Sequence, residues 1–287
     1  MRDFQPALDQ LFADLRPSRI ILRLERPGAF YPVVAESLAP GVHSVATGPE
    51  PDFALAPTFL FVTGEKRPLV QDAVLGHPLS PPADIVGHYG VASQLLVPVV
   101  RGDRFVGVVG IHVGEGPRTW SDAEMARADR FARWVGWELE VEELRERIGV
   151  HRATLRSDVT ELDDPADERY FPIVAEALEP GANSLRAVAG PDLRKAATMQ
   201  FLVQQRTTLV QEDLLATDTP PPPELIAQYG ARAQVLACIS EGDRLVAFVS
   251  AHHAATPRSF TPAEVGAVEE AAARIGATLR PRVWGGR

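Results

Sequence analysis

The chain has 287 residues, a net charge of −9, 45% apolar side chains and a single cysteine. That length gives about two domains, each able to bury a core without metals, and one cysteine, Cys238, excludes an internal disulfide framework. Acidic and basic residues are interspersed, so no basic stripe exists to neutralise a nucleic-acid backbone; with no signal-peptide core at the N-terminus and no apolar run long enough to span a bilayer, a cytoplasmic protein with neither nucleic-acid nor membrane partners is expected.

Residues 6–15 place Leu8, Leu11, Phe12 and Leu15 at helical spacing, which predicts a short amphipathic helix with Pro6 in its first turn. Strands are expected over 19–25 and 31–36, the second partly broken by Pro32, followed by a turn at Pro40-Gly41. Residues 56–64 read as a helix ending at Gly64, and 68–72 as a short strand. After the Pro-rich segment 76–82, residues 83–89 read as a helical turn closed by Gly90. Two apolar strands, 93–100 and 105–112, flank Gly102-Asp103, the strongest hairpin signal in the chain. Ser121 and Glu124 form a capping box that opens a long helix running to about Ile148.

The same text then returns. Tyr31-Pro-Val-Val-Ala-Glu-Ser-Leu-Ala-Pro-Gly41 reappears as Phe171-Pro-Ile-Val-Ala-Glu-Ala-Leu-Glu-Pro-Gly181, an offset of 171 − 31 = 140. Leu69-Val-Gln-Asp72, Gly102-Asp-Arg104 and Pro117-Arg-Thr-Trp-Ser121 return at the same offset as Leu209-Val-Gln-Glu212, Gly242-Asp-Arg244 and Pro257-Arg-Ser-Phe-Thr261. A unit this long is a duplicated domain rather than a solenoid repeat. The strand at 152–156 matches the first strand at an offset of 133, and about seven extra residues within 159–168 lengthen the loop that follows it. Domains are therefore expected at 1–149 and 150–287, joined by the tail of a helix, a semi-rigid link. Gly136 and Gly276, equivalent positions inside helices, predict close helix–sheet contacts.

Ser93-Gln-Leu-Leu-Val-Pro-Val-Val100, the Gly102-Asp-Arg104 hairpin, Phe105-Val-Gly-Val-Val-Gly-Ile-His112 and Pro117-Arg-Thr-Trp-Ser-Asp-Ala-Glu124 together resemble a GAF domain, and the second copy does too. The resemblance implies an α+β fold: two domains, each an antiparallel sheet of about six strands with helices on both faces, and a ligand pocket between the sheet and its irregular cover. GAF domains bind diverse molecules, so the family leaves the ligand and any cofactor unspecified. The cysteines of the sulfoxide-reducing members and the Asn-Lys-Phe-Asp-Glu motif of the cyclic-nucleotide members are missing, and Cys238 falls on a strand as a small buried side chain.

Candidate pocket residues are Phe59, Gln71, Asp72, His88, Tyr89 and His112 in the first copy and Gln211, Tyr229 and His252 in the second. The tyrosines end the short helix that should roof the sheet. His112 and His252 close a central strand, where an imidazole ligates haem or simply holds a turn. Gln71, Asp72 and Gln211 bind a ligand or cap the cover loop. Arg118 and Arg258 are expected to bridge to Glu124 and Glu264. No nucleophile triad, phosphate loop or metal signature occurs, so an enzyme is not expected. The expected function is small-molecule sensing that acts through a separate effector protein; the alternatives are a ligand-free dimerisation module, its pockets filled by Phe59, Phe61, Met199 and Phe201, and a haem-based sensor. Apolar positions on the long helix, Phe131, Trp134, Val135, Trp137, Leu139, Val141, Leu144 and Ile148, exceed what one sheet-facing stripe uses, which predicts a homodimer or packing of the second domain on that surplus.

Overall fold

The computed structural model describes residues 3–49, 53–150, 152–157, 173–186 and 196–279, with the side chains of 155–157 excepted. Two units are formed, one reaching Gly136 and the other spanning Trp137–Leu279.

In the first unit, α1 (Gln5–Leu15), β1 (Arg19–Leu24), β2 (Val33–Leu38), α2 (Pro57–Glu65), β3 (Leu69–Gln71), α3 (Ala83–Gly87), β4 (Ser93–Arg101) and β5 (Arg104–Val113) lead into α4 (Asp122–Ile148). The strands form one antiparallel sheet in the order β2-β1-β5-β4-β3. In the second unit, β6 (Arg152–Ser157), β7 (Ile173–Leu178), α5 (Ala197–Gln205), β8 (Leu209–Gln211), α6 (Pro223–Ala227), β9 (Ala231–Glu241), β10 (Arg244–Ala254) and α7 (Pro262–Thr278) repeat the plan in the order β7-β6-β10-β9-β8. The fold is α+β, with five strands in each sheet among the described residues where the resemblance implies about six.

Strand alternation sorts each sheet into two faces. In the second unit Ala233, Val235, Ala237 and Ile239 of β9 and Ala247, Val249 and Ala251 of β10 form one dry core with α7 and the tail of α4. Their neighbours Leu236 and Phe248 turn the other way, onto Met199 and Leu202 of α5. The first unit follows the same rule, with Val108 facing Phe59 and Val62 of α2. The hairpins turn where expected: Gly102 and Gly242 take φ of 59° and 58°, the left-handed start of a two-residue turn that glycine accepts without strain. Most element ends fall within a residue or two of expectation, and two of the differences have a local backbone cause. β2 begins at Val33 because Tyr31 is left-handed and Pro32 has no N–H to give the ladder, and α2 runs past Gly64 to end at a left-handed Lys66.

The tail of α4 belongs to the second unit. Trp137, Val141, Leu144 and Ile148 are buried in its core, at an offset of 133 from Phe4, Leu8, Leu11 and Leu15, which are buried in the first. The tail thus supplies the second sheet with what α1 supplies to the first. Trp137 donates its indole N–H to Thr278 Oγ1 at 2.9 Å, and Trp134 stacks on Phe4 and Phe131. Trp137, Val141, Leu144 and Ile148 are therefore buried within the chain, as the intramolecular alternative expects, while Trp134 and Leu139 stay half-buried.

Arg118 holds the corner before α4: it donates to Leu15 O at 2.9 Å, pairs with Glu124 and lies over the Trp120 ring. Arg258 repeats this with Ile148 O, Glu264 and Phe260. Hydrogen bonds from Ser121 and Arg118 outweigh burial, which acts in the opposite sense, and hold the Glu124 carboxyl below its usual range.

Two predictions rest on this packing. A Cβ at Gly136 would overlap the backbone carbonyl of Val100, whereas one at Gly276 would meet only the Ile239 Cγ2 methyl, at 3.0 Å. Gly136→Ala is therefore expected to destabilise by about 1–3 kcal/mol in urea unfolding, against the usual gain from Gly→Ala in a helix; Gly276→Ala is expected to cost less. Cys238 is half-buried, with Sγ 3.5 Å from Thr207 O, and burial pushes its thiol up to about 11. Its alkylation in native buffer should be slow and should accelerate with pH toward that value, while unfolded protein reacts fast at pH 8.5.

Candidate functional site

The second face of each sheet carries a transverse polar row. In the first unit Arg19 pairs in register with His112, His112 with Gln94, and Gln94 with Gln71, so the four side chains lie side by side on the same face of β1, β5, β4 and β3. In the second the row is Arg152, His252, Gln234 and Gln211. All eight side chains are at least nine-tenths buried. The glutamines hold the cover: Gln94 Nε2 donates to Gln71 Oε1, and Gln71 Nε2 donates to Leu79 O at 2.7 Å. Gln234 and Gln211 do the same, with Gln211 Nε2 reaching Thr219 O at 2.7 Å. The arginines brace the other end: Arg19 donates to Tyr89 O at 3.1 Å and lies over the Tyr89 ring, and Arg152 donates to Asn183 O at 3.1 Å and lies over Tyr229.

Between this face and the cover the first unit has a partly open cavity of about 60 Å³. Its floor is Ile21 and Arg23 of β1, Gln94 and Leu96 of β4, and Val108, Gly110 and His112 of β5; Thr58, Phe59 and Val62 of α2, with Phe53, Pro82 and Ile85, form its roof. One end is aromatic. Phe30, Tyr31, Phe53, Phe59 and Phe105 meet at ring-centroid distances of 4.9–5.8 Å, and the Arg23 guanidinium lies 4.4 Å from the Phe53 ring while donating to Tyr31 O at 2.9 Å. The other end is polar. His112 is 3% exposed and its Nδ1 has no hydrogen-bond partner among the described residues. Burial, then the positive charges of Arg19 and Arg23, push its imidazole down to about 3, so it is neutral at physiological pH.

The equivalent cavity of the second unit is about 30 Å³. Val108 is replaced by Phe248 and Gly110 by Ser250, whose hydroxyl bonds to Thr154, the counterpart of Ile21. These larger side chains take up the space, while Met199 stands where the first unit has Phe59.

The candidates named from sequence are distributed as follows. Phe59 and His112 line the first cavity and His252 lines the second. Gln71 and Gln211 are buried one strand further out and hold the cover loops. Tyr89 and Tyr229 are buried beside the cavities in apolar clusters without lining them, Tyr89 with its hydroxyl on Pro49 O. Asp72 and His88 are exposed; the Asp72 carbonyl accepts from Arg118 N at 2.9 Å, and the His88 ring lies against His43 and Tyr89. Sequence reasoning passed over Arg19, Arg23, Thr58 and Gln94. The signal for Gln94 and Arg19 was present, a polar residue repeated at offsets of 140 and 133 within otherwise apolar strands. Among the described residues no cluster of His, Cys, Asp and Glu is arranged to hold a metal ion, and no helix is long and apolar enough to cross a membrane.

Because the folded-state value of His112 lies below that of the unfolded chain, the unfolded state binds the extra proton between the two. Its contribution to stability is complete above about pH 6.5 and is lost as pH falls, by up to about 1.4 kcal/mol per pH unit. His112→Gln should flatten this acid limb of the stability curve in urea unfolding measured from pH 7.5 to 4.5; an unchanged slope would contradict the neutral, buried imidazole.

A family model described as the GAF domain matches residues 4–139 and again 137–279. Among solved structures, the blue-light-absorbing form of the Thermosynechococcus elongatus PixJ GAF domain is 19% identical, with a TM-score of 0.40, over 51% of this chain and 83% of that one. The phycocyanobilin-bound GAF domain from a cyanobacterial phytochrome is 16% identical, with a TM-score of 0.42, over 51% of this chain and 84% of that one. No protein of curated function is similar in sequence. Two consecutive matches that together run from residue 4 to residue 279 establish that the chain belongs to the GAF domain family, as a tandem pair.

Proposed function

We propose that this tandem GAF protein is a cytoplasmic small-molecule sensor that works by binding rather than by catalysis, with the ligand site in the first domain and the second domain serving as its structural partner in signalling to a separate effector. The observation that carries this reading is His112: a neutral imidazole, almost wholly buried, with an unpartnered ring nitrogen, on the wall of a cavity. A buried polar group left without a partner costs about 1–3 kcal/mol, which a bound molecule would recover. The second domain supports the ligand-free alternative for itself alone, since Phe248 and Ser250 occupy the equivalent space.

Tetrapyrroles do not suit either site. The structural neighbour from a phytochrome holds phycocyanobilin, whereas a cavity of about 60 Å³ is far smaller than a macrocycle or a bilin. The single cysteine lies in the other domain, on β9 against α5. The same volume argues against the haem-based alternative.

The test is a thermal-unfolding screen of the full chain against small metabolites, together with native mass spectrometry of freshly purified protein. A true ligand at a hundred times its dissociation constant should stabilise by about 2.7 kcal/mol, and Val108→Phe, which imports the second domain's residue, should abolish that shift. A screen in which no compound shifts unfolding and no ligand is retained would leave a ligand-free module as the better reading.

A further inference from the structure

The first cavity carries information about the charge and size of what it takes. Helix α2 begins at its wall, and Ala56 at its N-cap offers no side-chain cap. Pro57 has no N–H, so the amides of Thr58 and Phe59 form an uncapped positive helix end, and both residues line the cavity. Independently, Arg23 lines the same space with 4% exposure, and Arg19, 1% exposed beside His112, has Nε and Nη1 without partners among the described residues. His112 adds a ring N–H that a neutral imidazole donates from one nitrogen or the other. The described lining residues include no carboxylate. Helix end, the Arg23 guanidinium and an imidazole N–H on the lining, with the Arg19 charge behind His112, all favour an anion.

The remaining wall is apolar, from Ile21, Val62, Ile85, Leu96 and Val108. At roughly 10–15 Å³ for each water-sized sphere, 60 Å³ admits about four to six non-hydrogen atoms. A phosphate or sulfate would leave that apolar wall against charged oxygens, whereas a short carboxylic acid satisfies both ends.

We propose that the first GAF domain binds a small monocarboxylate, its carboxylate directed to the Thr58 end of α2, Arg23 and His112 and its short tail to the apolar wall, and that the second domain does not. This rests on the sensing reading above and gives that site its ligand class.

Isothermal titration calorimetry of the full chain with sodium propionate and with propionamide, in sodium chloride buffer at pH 7, tests it. Propionate should bind saturably at one site per chain, and propionamide at least about tenfold more weakly, since it lacks the charge-assisted hydrogen bonds. The double variant Ile21→Thr/Gly110→Ser installs the pair that the second domain already accommodates as Thr154 and Ser250; it should stay folded by circular dichroism and lose at least about tenfold in propionate affinity. Equal binding of acid and amide, two equivalent sites, or undiminished binding by the folded double variant would each overturn the proposal. Absence of propionate binding would overturn it as well; a neutral ligand emerging from the thermal screen would then leave the sensing reading standing, and an empty screen would remove both.

Discussion

Each sheet in this protein is buried on both faces, and that constraint governs the rest. A sheet covered on one side can place polar side chains in water on the other. Here the second face lies under α2 and α3, or α5 and α6, so every polar residue on it must find a partner inside the fold or be left with an unsatisfied group. The arginines and glutamines of the row meet part of that requirement by tying the cover to the sheet. Gln71 and Gln211 take the carbonyls of Leu79 and Thr219, and Arg19 and Arg152 take those of Tyr89 and Asn183. The irregular cover is held at both ends by side chains rather than by regular ladder bonds.

The two copies use this frame differently. The polar row is present in both, and in both its arginine and its outer glutamine hold the cover. The positions between the row and the roof are free to vary, and there the copies diverge: Ile21, Val108 and Gly110 in one correspond to Thr154, Phe248 and Ser250 in the other. A Cβ at 110 would crowd Ile21 at 3.0 Å and His112 Nε2 at 3.2 Å, whereas Ser250 stands opposite Thr154 and satisfies its hydroxyl there. A change of this kind alters a cavity without disturbing the sheet, because it swaps side chains across one cross-strand pair.

Reuse of α4 follows from duplication. A domain whose sheet needs two helices on its dry face can take one from the preceding domain if the copies are joined without a break. The offset of 133 for the opening helix and first strand, against 140 elsewhere, marks the place where the extra loop residues enter. Arg118 and Arg258 make equivalent clasps, to Leu15 at the end of α1 and to Ile148 at the end of α4, which shows that the two helix ends are structurally the same point.

The sequence by itself determined the duplication, the order of elements, the hairpins at Gly102 and Gly242, the Ser121–Glu124 capping box, the Arg118–Glu124 and Arg258–Glu264 pairs and the α+β class, because each of these is a local signal written within a few residues or a repeat visible by comparison of the chain with itself. It also carried His112, His252 and Phe59 into the candidate site, while leaving the role of α4's apolar surplus open between two surfaces. Only the tertiary structure decided that the surplus is buried by the second sheet, that Tyr89 and Tyr229 stand beside the cavities, and that Arg19, His112, Gln94 and Gln71 share one row. Residues 71, 94, 112 and 19 come from four strands that are neighbours in the sheet but are spread over more than ninety residues of sequence, and register across strands is set by long-range pairing and by which face the cover leaves dry. No local pattern encodes that. Cavity volume lies further still from the sequence, since it depends on the difference between a glycine and a serine at one position and on how closely the roof descends over it.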